Sequence, residues 1–139
     1  MKKMNIVIAA NETNKTALIE WSYTNKNILE QHTIIAPGKT ARLLKGVLLV
    51  PVLQLSPVTT GGIPELEKMV EENEVDILLF FPSLQDQDVV ADKFRNLLTL
   101  ASEKDILIAF NTTTANLVLQ SLANNKELDI EIATLKALS

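Results

Sequence analysis

At 139 residues, 47% of them hydrophobic and 22% charged, the chain has the size of one ordinary domain and enough apolar side chains to bury a core. A net charge of −4, a pI near 5.0 and only one Trp, one Tyr and four Phe argue against a nucleic-acid partner. The absence of cysteine excludes a disulfide framework, a thiolate nucleophile and a zinc–thiolate centre, and a lone histidine excludes a multi-histidine metal site.

The elements alternate. Ile6-Val7-Ile8-Ala9-Ala10 reads as a buried strand, and residues 13–27 as a helix with Ala17, Leu18 and Trp21 on one face. A short strand follows over 33–36, then a Pro37-Gly38 turn and a short helix over 39–44. Residues 47–55 form an apolar run broken by Pro51. Pro64 suits the first turn of the next helix, with Leu66, Met69 and Val70 inward and Glu65, Glu67, Glu71 and Glu72 outward. Residues 75–81 make the clearest buried strand. Val90, Phe94, Leu97, Leu98 and Ala101 keep helical spacing. A strand over 106–110 precedes a helix carrying Ala115, Val118, Leu119 and Leu122, and a last short strand is expected over 128–132.

Continuous apolar strands separated by helices imply an α/β fold. The expectation is one domain over 1–139, a three-layer αβα sandwich with a mostly parallel sheet of roughly five strands. Ligands of such folds sit outside the carboxyl ends of the strands. The loops of interest are therefore 11–15, 36–40, 56–63, 82–88 and 111–114. No stretch approaches the roughly 18 apolar residues of a membrane span, and the apolar run near the start is too short for a signal peptide. The expectation is a soluble cytoplasmic protein without a membrane partner.

Several of these loops suit a small anion. In Ala36-Pro37-Gly38-Lys39-Thr40, glycine allows close backbone approach, Lys39 brings a charge and Thr40 a hydroxyl at a helix start. It is not the Gly-rich loop of nucleoside triphosphatases, whose spacing it lacks, and a turn with a helix cap explains it equally. Lys15, early in the first helix after Asn11 and Glu12, opposes the helix dipole unless it faces an anion or solvent. Gly61-Gly62 offers backbone donors between a strand and a helix, or an ordinary connection. Asn111-Thr112-Thr113-Thr114 offers polar groups or a cap. His32, at a helix-to-strand junction, reads as a surface or capping residue, and Asp76 as structural. Asp86 and Asp88 fit a solvated helix start better than a cation site, so neither a metal nor a cofactor is expected.

Taken in order, Ile8-Ala9-Ala10-Asn11-Glu12, Leu29-Glu30-Gln31-His32, Ala36-Pro37-Gly38-Lys39-Thr40, Gly61-Gly62, Val75-Asp76-Ile77-Leu78-Leu79-Phe80-Phe81 and Asn111-Thr112-Thr113-Thr114-Ala115 resemble the methylglyoxal synthase family from about Asn5 to about Leu122. The same fold forms the allosteric domain of large carbamoyl-phosphate synthetase subunits. The resemblance implies an enzyme that removes a carbon-bound proton from dihydroxyacetone phosphate, stabilises the enediolate and expels phosphate. It also implies a homo-oligomer, such as a hexamer. By the same resemblance Lys15 matches the phosphate lysine. Gly38 and Thr40 match two residues of a Thr-Gly-Thr-Thr turn, in which Pro37 and Lys39 replace threonines. Ser56 falls near the serine of the next loop, and Gly61 and Gly62 precede the catalytic aspartate.

The catalytic set departs from that pattern. Ile63 stands where the base is expected. Asn11 replaces a histidine and Glu12 an aspartate; Ser83, Val90, Lys93, Thr99 and Ala137 replace an aspartate, the electrophilic histidine, an aspartate and two arginines, with Lys136 adjacent to the last. General acid–base catalysis contributes about a hundred- to ten-thousand-fold, so losing base and electrophile together should leave little synthase activity. The expectation is a protein that binds phosphate or a small phosphorylated metabolite through Lys15, Gly38, Lys39, Thr40, Ser56, Gly61 and Gly62, with Asn11 in the pocket. The alternative is a divergent synthase, a phosphate-eliminating lyase in which Glu12 or Glu65 substitutes as base. Glu65 more readily faces solvent at its helix start, where the dipole favours its charge.

Overall fold

In a computed structural model, which describes residues 3–10, 15–81 and 87–124, five parallel strands alternate with helices. The order is β1 (Asn5–Ala10), α1 (Lys15–Thr24), α2 (Lys26–Leu29), β2 (Thr33–Pro37), α3 (Gly38–Val47), β3 (Val52–Leu55), a 3₁₀ turn (Val58–Thr60), α4 (Gly62–Glu71), β4 (Ile77–Phe81), α5 (Gln87–Glu103), β5 (Leu107–Ala109) and α6 (Thr112–Asn124). The strands lie in the order β3-β2-β1-β4-β5. The αβα sandwich expected from the alternation is the architecture found. The expected strand over 128–132 lies outside the described residues.

Period two sends alternate residues of the central strands into two cores. Ile6 and Ile8 of β1 join Leu18, Trp21, Leu44 and Leu119 in one core beneath α1, α3 and α6. Val7 and Ala9 join Ile63, Leu66, Phe94 and Leu97 in a second core beneath α4 and α5. Both faces of the sheet are covered along the middle of β1, β2 and β4, so a polar residue there would bury an unpaired group. Burying a Leu- or Ile-sized side chain is worth about 1.5–3 kcal/mol.

Several boundaries differ from those expected. The helix over 13–27 is interrupted at Asn25, whose side-chain amide donates to the Trp21 carbonyl at 2.9 Å and so competes with the backbone. Ala17 is exposed rather than turned into the core. The run 47–55 divides, because α3 continues to Val47 and Pro51, which has no N–H to give, precedes a strand of only four residues. Leu49, between them, is exposed. β4 begins at Ile77. Asp76 stands before it as a structural residue, its Oδ2 accepting the Asn5 N–H at 2.8 Å.

His32 is the clearest correction. It is not on the surface but 2% exposed, and its Nδ1 accepts the Met4 N–H at 2.9 Å. Burial first, and the Lys3 charge second, hold its pKa below the ordinary histidine value, against an opposing pull from Asp76. Nε2 has no hydrogen-bond partner among the described residues.

Candidate functional site

The connections β1–β2–β3 run in one direction across the sheet and β4–β5 in the other, so the order reverses between β1 and β4. Such a reversal opens a crevice at the carboxyl ends of the two strands. Ala10 and Phe81, the last residues of β1 and β4, are paired across it.

The β2–α3 and β3–α4 connections meet beside that crevice. Gly38, at φ +43°, leads from strand directly into helix, and a Cβ there would lie 3.1 Å from Pro57 Cα. Thr40 is buried, and its hydroxyl donates to the Ala10 carbonyl at 3.2 Å, tying the first turn of α3 to the tip of β1. Gly62 packs so closely on the Ser56–Pro57 backbone that a Cβ would sit inside contact range of the Ser56 carbonyl oxygen and 3.1 Å from that of Pro57. Its N–H donates to the Pro57 carbonyl at 2.9 Å, so this amide serves the turn. Gly61 holds φ +130°. The structure thus gathers Gly38, Thr40, Ser56, Gly61 and Gly62 at one end of the sheet.

Lys15 is the first residue of α1, which packs on α3, and its side chain is exposed, as is that of Lys39. Asn11, Glu12, Ser83, Asp86, Lys136 and Ala137 lie outside the described residues, as do the side chains of Asp88, Val90 and Lys93. Among the described residues no group of His, Asp or Glu could hold a metal ion. No helix there is long and apolar enough to cross a membrane.

Two side chains decide the chemistry. Ile63 is 8% exposed and belongs to the core beneath α4 and α5, where it packs as a hydrocarbon. Glu65 does not face solvent as expected. It is half-buried, and both carboxylate oxygens lie 3.3 Å from the Ser56 N–H that they accept. The helix dipole favours the charge, but the backbone donor supplies the contact that turns it inward.

Three of the helix starts at this edge carry no carboxylate. Neither α1, α3 nor α6 has an acidic residue in its first turn, and α3 has no side-chain cap at Pro37. The first N–H groups of α1 and α3 point towards the carboxyl edge of the sheet, which is favourable for an anion, whereas in α6 Asn111 caps the start, its Oδ1 accepting the Thr114 N–H at 2.8 Å. Glu65, in the first turn of α4, and Asp88, the second residue of α5, are the carboxylates at these helix starts.

A feature the sequence did not reveal lies beside them. A cavity of about 190 Å³ opens between the starts of α1 and α6. Ala10 and Phe81 form its floor, Ala17, Leu18 and Trp21 one wall, and Phe110, Asn111 and Thr112 the other. Trp21 meets Phe81 edge-on at 5.0 Å, and its Nε1–H donates to Asn116 Oδ1 at 2.8 Å. The available signal was an aromatic at the end of β4 and another just past β5, both at the ligand-binding edge.

No protein-family model matches the chain. Curated relatives do. It is 33% identical over 121 residues to the methylglyoxal synthase of Pseudoalteromonas atlantica, covering 84% of this chain and 86% of that protein. With the methylglyoxal synthase of Erwinia tasmaniensis it shares 30% identity over 133 residues, 92% of this chain and 84% of the relative. The crystal structure of methylglyoxal synthase from Elizabethkingia anophelis superposes with a TM-score of 0.73 at 25% identity, covering 84% of this chain and 77% of that one.

Proposed function

The chain belongs to the methylglyoxal synthase family, and from that premise we propose that it binds phosphate or a small phosphorylated metabolite at the carboxyl edge of the sheet without efficient synthase turnover. The observation that carries this reading is Ile63, a buried hydrocarbon at the position where the resemblance puts the proton-abstracting carboxylate. A side chain with no titratable group cannot accept a proton, whatever the pocket around it binds.

Support for anion binding comes from the edge itself. Lys15 begins α1, Gly38 and Thr40 begin α3 against the tip of β1, and the first turns of α1, α3 and α6 hold no carboxylate. Lys39, the Ser56 hydroxyl and Gly61 complete the proposed cradle, which Gly62 shapes through its bond to the Pro57 carbonyl, and Asn11 is assigned to the pocket by the resemblance alone. The exposed apolar side chains Ile19, Tyr23, Leu49 and Leu117 support extending the proposal to a homo-oligomer, which light scattering would reveal.

Calorimetric titration with inorganic phosphate and with dihydroxyacetone phosphate tests the reading. Saturable heat is expected at millimolar ligand or below, and Lys15→Ala is expected to weaken it about tenfold, the scale of one charge-assisted contact. Methylglyoxal release should stay at the background rate. Absence of heat at millimolar ligand overturns the binding proposal. A second reading, a divergent lyase, draws on Glu65, whose carboxylate sits against the β3–α4 connection. Methylglyoxal release abolished by Glu65→Gln or Glu12→Gln would favour it over a non-catalytic binder.

A further inference from the structure

The cavity between α1 and α6 is not needed to hold a phosphate. Its described lining contains no charged side chain, and its bulk is supplied by Trp21, Phe81 and Phe110. It is also preorganised. The Trp21 indole N–H is already satisfied by Asn116, and the ring is braced edge-on against Phe81, so the aromatic wall asks only for apolar surface, while Asn111 and Thr112 make the opposite wall polar. Phe110, whose ring also meets Phe80 edge-on at 6.3 Å, is 48% exposed and leaves aromatic area uncovered at the rim.

Its position links it to the anion site. Ala10 contributes to the floor, and the carbonyl of the same residue accepts the Thr40 hydroxyl. Lys15 begins the helix whose first two turns supply Ala17, Leu18 and Trp21. A phosphate at the proposed cradle and a ring in the cavity would thus share one helix and one strand tip. The size sets the class of group. At about 190 Å³ the cavity admits one six-membered ring with a substituent, since about 150 Å³ suffices for benzene.

We propose that this cavity binds the uncharged ring of a small aryl phosphate ester, so that the ligand of the chain is a phosphate monoester with a single apolar ring and not a bare triose phosphate. The inference rests on the phosphate-binding reading above, which it deepens. Ala17 is the selectivity residue: it is small and exposed, and a larger side chain there would fill the cavity from its rim without entering the core.

The chain carries its own reporter, because Trp21 is its sole tryptophan and lines the cavity. Inorganic phosphate, phenyl phosphate and phenol would each be titrated against the intact protein by calorimetry and by Trp21 emission. Phenyl phosphate is expected to bind about tenfold more tightly than inorganic phosphate and to change the emission, which inorganic phosphate leaves unaltered. Ala17→Leu should bring the affinity ratio near one, while Ala17→Ser, which preserves the volume, should keep it. Equal affinity for the two phosphates, a silent Trp21 in the phenyl phosphate complex, or an unchanged ratio in Ala17→Leu would overturn the proposal. Phenol that shifts the emission while no phosphate binds would keep the ring site and defeat the phosphate reading. Inorganic phosphate that binds without any preference for the aryl ester would do the reverse.

Discussion

At the scale of single residues, His32 makes the most specific physical statement. Its Nδ1 accepts a backbone N–H and must therefore carry no proton, while burial and the Lys3 charge disfavour the cation. The folded state refuses a proton that the unfolded chain accepts below about pH 6.5. Stability from this group is complete above that value and is lost as the pH falls from it towards the depressed folded-state pKa. Thermal melts should show the midpoint falling between pH 7 and pH 5.5, above the range where carboxylates titrate. His32→Asn, whose Oδ1 can take over the Met4 N–H, should flatten that dependence; an unchanged slope would sink the assignment. Ile63 was legible in the sequence as a missing base, but its burial was not, because one apolar residue at a helix start can lie on either face. Glu65 shows the same limit. A favourable dipole predicts only that its charge is tolerated, whereas the Ser56 N–H that turns it inward comes from nine residues earlier.

At the scale of elements, α4 and α5 end alike. Each runs past its last turn into a residue with positive φ, Asn73 at 61° and Asp105 at 57°. The Glu74 and Ile106 N–H groups then return to the Met69 and Ala101 carbonyls, satisfying helix-end acceptors before the chain enters β4 and β5. Asn and Asp tolerate that conformation better than other residues with a Cβ. Asp105→Ala should therefore destabilise by about 1 kcal/mol, read as a lower urea midpoint at constant slope. Neither terminus was foreseen, since no glycine marks it. The buried strands were easy to recognise because both faces of the sheet demand apolar residues, which makes Ile6 to Ala10 and Ile77 to Phe81 uninterrupted runs. β3 was harder: it is an edge strand only four residues long, joined by Pro51 to an apolar stretch that belongs partly to α3.

At the scale of the whole molecule, alternation of strand and helix was enough to give the sandwich, because right-handed crossovers leave few ways to cover both faces of a parallel sheet. The site was only partly legible. The glycines could be found from their order along the chain, but the reason for each is tertiary: Gly38 and Gly62 are both required by the same Ser56–Pro57 backbone. The aromatic cavity depends on three segments far apart in sequence, at Trp21, Phe81 and Phe110, and no local pattern joins them. Strand order also predicts how the fold depends on its middle. A fragment ending at Glu74 lacks β4, the partner of β1, and by circular dichroism and gel filtration it should fail to give a folded monomer.

The Asn5–Asp76 bond and the β1–β4 pairing have a consequence for the protein while it is being made. The first strand leaves the ribosome some seventy residues ahead of the one that will seal its flank. Throughout that interval Ile6, Val7 and Ile8 border an open hydrogen-bonding rim, and nascent chains on one messenger present identical rims to each other. The period of greatest danger for this protein therefore falls in the middle of translation, when a chaperone that shields the emerging amino-terminal half would matter most.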